Sequence, residues 1–309
     1  MCCLFGLIDY QKTLSAAQRN RILSVLATAC EARGTDTTGI AYNSQDRMRI
    51  YKRPLPGRRM RFHLPEDAHV IMGHTRMTTQ GSEKKNINNH PFGGTTGEGT
   101  FALAHNGVIR NDRTLRRTLA LPKTKIETDS FIGVQLIEQR QTLSFDSLCY
   151  MAEQLDGSFT FTVLDAESNL YIIKGDNPMC LYHFPRCGIY LYASTEAILN
   201  QALRQLRLPL ERPTQIHIDC GEILKIDCAG AIARSQFDDS KLFCGWYDPL
   251  WFYGETNRTA SRRPNTQSYL EEIKSVATAF GYSPEDIETL SAQGFSPEEL
   301  EELLYCGEL

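Results

Sequence analysis

Long apolar runs are missing from this chain. No stretch approaches the roughly 18 consecutive apolar residues that a membrane span needs, and the first residues carry neither the basic region nor the apolar core of a secretion signal. A cytoplasmic location with no membrane partner is therefore expected. The ten cysteines contain no CxxC spacing and have no histidine pairs nearby, which excludes the common zinc and dithiol motifs. Cys30, Cys149, Cys180, Cys187, Cys220, Cys228, Cys244 and Cys306 read mostly as reduced core residues. The formal net charge is only -4, so no basic surface calls for a nucleic-acid partner. No cofactor and no metal is expected. Across 309 residues, 41% hydrophobic and 23% charged, the composition is that of a globular protein with one large domain and a small one.

What is present starts at the second residue. Removal of Met1 would make Cys2 the N-terminal residue, since its side chain is small. One residue would then carry both a thiol nucleophile and a free α-amine. Such an amine titrates near ~7.7 to 8.0, so at neutral pH part of it is unprotonated and can take the thiol's proton. Many proteins begin Met-Cys, so the remainder of the chain must supply the support.

Residues 3–9 are short and apolar, as in a buried strand. Ser15 and Gln18 have capping-box spacing and open a helix to about residue 32, with Ile22, Leu23, Leu26, Ala29 and Cys30 on one face. The segment 32–42 is turn-rich and enters a strand, with Asp36 read as closing a local turn. Strands are expected at 48–53 and 69–75, separated by a solvated loop containing Arg58, Arg59 and Arg61. At 73–81 an apolar run gives way to a polar one, and strand ends of this kind commonly face a site. The polar, glycine-rich stretch 82–99 reads as a mobile lid. Around Asn106-Gly107 the apolar alternation predicts a β-hairpin. The competing reading is an oxyanion hole, with the Asn106 amide and the Gly107 N–H side by side.

Further on, Asn111 is placed to cap a helix to about 119, Thr128 or Asp129 a second, and Ser144 a third to about 154. Four strands with tight connections follow, then a helix at 195–205 and strands at 214–219 and 222–227. Helical stretches between blocks of strands predict two sheets sandwiched by helices.

The segments CCLFG, ARGTDTTG, GHTRMTTQG, NNHP, LAHNGVIRN, TDS, DGSFTFTVLD and YASTEAIL occur in that order. Together they resemble the class II glutamine amidotransferase domain, a member of the N-terminal nucleophile hydrolases, over residues 2 to about 227. The resemblance implies an α+β fold: an αββα sandwich of two mainly antiparallel sheets between helix layers. It also implies Cys2 as the nucleophile, Asn106 and Gly107 as the oxyanion-hole pair, Arg76 on the α-carboxylate of L-glutamine and Asp129 on its α-ammonium. His74 and Thr79 fall beside that arginine, Gly81 through His90 fall in the closing loop, and Arg33 falls near the terminal cysteine. The chain departs from the family pattern at Cys3, usually glycine; at Met77, usually tryptophan; at Gln80, usually histidine; and at GDNPM, 175–179.

The domain is expected to span 1–240. An aromatic segment and polar linker, 241–266, leads to a small acidic three-helix module at 267–309. There GYSPEDIETL and GFSPEELEEL repeat at a thirteen-residue offset. Each carries a serine cap, proline at the first helical position and an acidic residue three after the cap. From Ser275 onward come eight acidic side chains and no Lys or Arg. No segment the size of a synthase domain follows, so the module is a candidate dock for a synthase or acceptor protein. The function expected is glutamine hydrolysis to glutamate and ammonia for such a partner. The alternatives are an amidase for another γ-glutamyl or amide compound, and a catalytically silent scaffold working through the tail.

Overall fold

A computed structural model describes residues 2–78, 80–206, 211–244 and, in the tail, Leu270, Lys274, Ala277, 282–293, Phe295, Leu300 and Leu303. The chain divides into units Met1–Asp248 and Pro249–Leu309.

Two sheets make up the first unit. One runs in the order β11 (Thr214–Ile216), β9 (Cys180–Phe184), β10 (Ile189–Ala193), β1 (Cys3–Asp9), β4 (Val70–Arg76), β2 (Thr37–Ser44) and β3 (Arg47–Arg53). The other runs β13 (Ile232–Gln236), β12 (Glu222–Ile226), β8 (Leu170–Lys174), β7 (Gly157–Leu164), β6 (Gly99–Ile109) and β5 (Phe92–Thr96). Neighbouring strands pair antiparallel throughout both sheets.

Strand alternation sorts the core into three layers. Cys3, Phe5 and Leu7 of β1 face Ile22, Leu23 and Leu26 of α1 (Ala16–Ala29) and Ile198 and Leu199 of α5 (Glu196–Gln205). Leu103 of β6 and Phe159, Phe161 and Val163 of β7 face α3 (Phe131–Arg140) and α4 (Phe145–Gln154) through Ile132, Leu136, Leu148 and Met151. Between the sheets Leu4, Ile8, Val70 and Met72 meet Ala102, Ala104, Leu164, Ile172 and Leu224. The result is the expected αββα sandwich. Burying one such apolar side chain contributes about 1.5–3 kcal/mol, so the alternation fixes which face each strand presents.

Local signals hold where the bond is local. Ser15 and Gln18 form a reciprocal capping box, Ser144 accepts from the N–H of Ser147, and Thr195 accepts from that of Ile198. In the second unit, the helix α7 (Pro284–Ala292) begins with Ser283 and Asp286 capping each other, and Ile287 packs with Ala277 and Leu300. A short α6 (Ser240–Cys244) ends the described part of the first unit. Most of the second repeat and most of the expected first tail helix lie outside the described residues.

Other expectations need correction. Asn106-Gly107 is not a turn: both residues lie within β6 and pair with Thr160 and Phe159 of β7. Gly107 takes φ +141, and a Cβ there would stand 1.9 Å from the Ser158 oxygen, so glycine serves a close strand approach. The stretch 82–99 is not wholly irregular, since it holds a 3-10 turn Asn86–Asn88 and the strand β5. β13 went unanticipated because its residues are mostly exposed and show no apolar alternation. Asn111 precedes α2 (Asp112–Thr118) without capping it; its side chain bonds the Gln154 carbonyl and the Asp156 N–H instead. Asp129 does not cap α3, whose cap position is Ser130. Cys149, Cys187 and Cys220 are only half-buried and Cys228 is exposed, whereas Cys30 and Cys180 are buried. The side chain of Cys244 and all of Cys306 lie outside the description.

Candidate active site

The site lies at one end of the layer between the sheets. Cys3 pairs with Thr75 and Leu4 with His74, so Cys2 stands one step further, level with Arg76. By strand parity Cys2, Leu4 and Ile8 share the face toward the second sheet, and Cys3 turns to the helix side, where it packs against Cys30. Cys2 is half-buried. Its thiol donates to the Met77 carbonyl at 3.6 Å, and the Arg33 Nε donates to the Cys2 carbonyl at 3.1 Å. Burial pushes the Cys2 thiol up from its ordinary range. Backbone contact with Met77 and the Arg76 cation pull it back down, and Asp129 adds a smaller upward push. Arg76 and Asp129 therefore both lie within electrostatic reach of the sulfur.

Arg76 ends β4 almost fully buried. Its Nη1 donates to Asn89 Oδ1 at 2.8 Å and its Nη2 to the Gln80 carbonyl, with the Gly81 carbonyl more distant at 3.5 Å. The backbone leaving Arg76 is held by Asp36: the Asp36 N–H donates to the Arg76 carbonyl at 3.0 Å, and Asp36 Oδ2 accepts from the Thr78 N–H at 2.7 Å. Asp36 thus closes a long-range contact, not the local turn expected. Thr79 lies outside the described residues.

His74 ties the sheets together, its Nε2 donating to the His105 carbonyl on β6 at 2.9 Å. Burial holds its imidazole down at about 3, so it stays neutral. His90 stacks on it with centroids 4.1 Å apart, packs on Phe92 at 4.4 Å, and is likewise kept neutral by burial. Neither His90 ring nitrogen has a hydrogen-bond partner among the described residues.

Beside the His105 carbonyl sits Asn106, fully buried and on the inter-sheet face with Ala102 and Ala104. Both its Oδ1 and its Nδ2 lack a partner among the described residues. A buried carboxamide of this kind costs about 1–3 kcal/mol unless something else occupies it. Asp129 is buried as well: Oδ2 accepts from the Ile109 N–H at 2.7 Å, and Oδ1 accepts from the Ser130 hydroxyl, which also meets His105 Nδ1 at 2.8 Å.

The fold and the alternating face thus bring together Cys2, Arg76, Asp129, His74, His90 and Asn106, with Gly107, Gly81 and Arg33 at their edges. Sequence reasoning passed over Asn89, Ser130 and Lys52. Asn89 and Ser130 stand inside quoted motifs and could have been found there. Lys52 had no signal; it reaches the site only through strand pairing, where burial and the Arg76 cation lower its amine to about 8. Among the described residues no group of histidine, cysteine and carboxylate side chains is arranged to hold a metal.

Two antiparallel sheets face to face between helix layers make up an N-terminal nucleophile hydrolase fold. Glutamine phosphoribosylpyrophosphate amidotransferase from B. subtilis, solved with ADP and GMP, shares it at a TM-score of 0.59 and 18% identity over 77% of this chain and 49% of that one. Residues 74–201 match the family model of the glutamine amidotransferase domain. The isomerizing glutamine–fructose-6-phosphate aminotransferase of Bacillus thuringiensis is 31% identical over 187 residues, 58% of this chain and 30% of that protein. Its Sulfurisphaera tokodaii counterpart is 30% identical over 192 residues, 59% and 31% respectively. The match thus spans less than a third of the length of these two aminotransferases. Over the matched residues the chain is similar to a glutamine amidotransferase domain.

Proposed function

We propose that this protein hydrolyses the side-chain amide of L-glutamine to glutamate and ammonia through a thioester on Cys2. With Met1 removed, the Cys2 α-amine takes the thiol proton as sulfur bonds to the amide carbon. The oxyanion so formed accepts hydrogen bonds from the Asn106 carboxamide and the Gly107 N–H. The C–N bond then breaks, the amine's proton leaves with ammonia, and water, entering on the same route, releases glutamate and restores the thiol. Arg76 takes the α-carboxylate, to which its planar fork is suited, and Asp129 takes the α-ammonium. Neutral His74 and His90 form the wall behind Arg76.

The buried Asn106 carboxamide carries this reading: it has no partner among the described residues and shares a face and an end of the sandwich with Cys2 and Arg76. Purified protein incubated with glutamine should release glutamate, Cys2→Ala should release none, and intact mass should show loss of Met1. Full activity in Cys2→Ala would refute the thioester.

The relatives carry long further segments beyond the region of similarity. On this reading ammonia from this protein, working in the cytoplasm, goes to a separate acceptor protein that docks at 267–309. Deleting 267–309 should abolish co-purification of glutaminase activity with that acceptor and leave glutamate release intact.

A further inference from the structure

Lys52 stands on β3, outside every motif named above, yet its side chain reaches the segment that holds Arg76. Its ammonium donates to the Asn89 carbonyl and, at 2.9 Å, to the Pro91 carbonyl, and it lies 5.1 Å from the centre of the Phe92 ring. Asn86 Nδ2 returns a bond to the Lys52 carbonyl at 3.2 Å. Residues 86–91 are therefore strapped across β3. The strap passes closely over Gly39 of β2, where a Cβ would stand 2.2 Å from the His90 oxygen.

Asn89 connects this strap to the site. Its Oδ1 accepts from Arg76 Nη1 at 2.8 Å, while its Nδ2 donates to the Glu83 carbonyl at 2.8 Å. A guanidinium has five N–H groups in one plane. Those spent on Asn89 and on the Gln80 carbonyl set the plane in which the remaining ones face a ligand. Bidentate pairing with a carboxylate needs that plane, and a guanidinium rotated out of it keeps its charge but loses the second bond.

We propose that Lys52 is a positioning residue for the α-carboxylate of glutamine, fixing the plane of the Arg76 guanidinium through Asn89. This rests on the reading of Arg76 as the carboxylate clamp. A lysine that merely staples a loop would affect stability and leave the substrate alone; a positioning lysine separates KM from kcat, because the carboxylate is gripped alike in ground and transition states.

The test uses the full chain with Lys52→Met, Lys52→Arg, Asn89→Ala and the Lys52→Met/Asn89→Ala double variant, and follows glutamate release. Lys52→Met should raise KM for glutamine about tenfold with kcat held within about twofold, the pattern of lost uniform binding. Lys52→Arg, which keeps the charge and the donors, should return KM to within about threefold of wild type. Asn89→Ala should match Lys52→Met, and the double variant should be no worse than either single one, since both act on one link. An unchanged KM in Lys52→Met, no rescue by arginine, or additive losses in the double variant would overturn the role of Lys52 while leaving the glutaminase reading intact. A wild-type protein that releases no glutamate would overturn both; if Lys52→Met does not fold, an unchanged KM in Asn89→Ala still overturns the proposed link.

Discussion

The two ends of the layer between the sheets are built from the same strands and differ only in chemistry. On β1 the inter-sheet positions run from Ile8 through Leu4 to Cys2, on β4 from Val70 and Met72 to His74 and Arg76, and on β6 from Ala102 and Ala104 to Asn106. The alternation never slips. At one end every such side chain is apolar and its burial stabilises the fold; at the other the same faces carry polar groups, several of them buried without partners among the described residues. Each unpartnered group costs about 1–3 kcal/mol. A sandwich bears that cost only where its apolar end supplies the surplus, so the site is the region in which sequence and stability disagree.

The comparison can be broken most severely at Cys2. Cys2→Ala should remove all measurable glutaminase activity and leave the thermal midpoint within a degree or two, because the residue lies at the strand's open end and contributes little packing. Next comes Asn106→Leu. Losing one oxyanion donor should lower kcat on the order of 10² to 10³, yet stability should hold or rise, since an unsatisfied carboxamide gives way to an apolar side chain of similar size. A stability loss together with a small kinetic effect would mean that Asn106 is structural. The opposite pattern belongs to Ile172→Ala at the apolar end, which should cost about 2–5 kcal/mol of unfolding free energy and leave kcat/KM nearly unchanged in the folded protein.

Much of the sandwich was legible because its causes are local. Ser15, Ser144 and Thr195 cap helices within four residues of themselves, and the inward turn of Cys3 follows from counting along a strand. Asn106-Gly107 misled for the same reason. The local rule makes the pair a turn, and only pairing with β7, tens of residues later, keeps it extended. Asp36, Asn89 and Lys52 act through contacts separated by roughly 13 to 42 positions, which no periodicity reveals. The chemistry of the site was legible through the order of the motifs; its supporting bonds were not.

The smallest effect, and the cleanest test of the polar end, is its response to acid. His74, held at about 3, and His90, held well below its ordinary value, stay neutral in the folded protein where the unfolded chain takes up protons. A group whose folded value is depressed contributes stability that is present above the unfolded value, near ~6.5, and is lost as the pH falls below it. Each such imidazole adds a slope of about 1.4 kcal/mol per pH unit in that window. His90→Phe removes one of them and places a ring between His74 and Phe92, where His90 now stacks. Urea unfolding at pH 7, 6 and 5 should therefore show the variant at least as stable as wild type at pH 7, with a slope shallower by about one proton between pH 6 and 5. Raised carboxyls such as Asp165 and Glu138 act in the opposite sense, but they are common to both proteins and drop out of the difference. Equal slopes would mean that His90 is already charged in the fold. The stacked imidazoles would then belong to the working chemistry of the site and not to its wall.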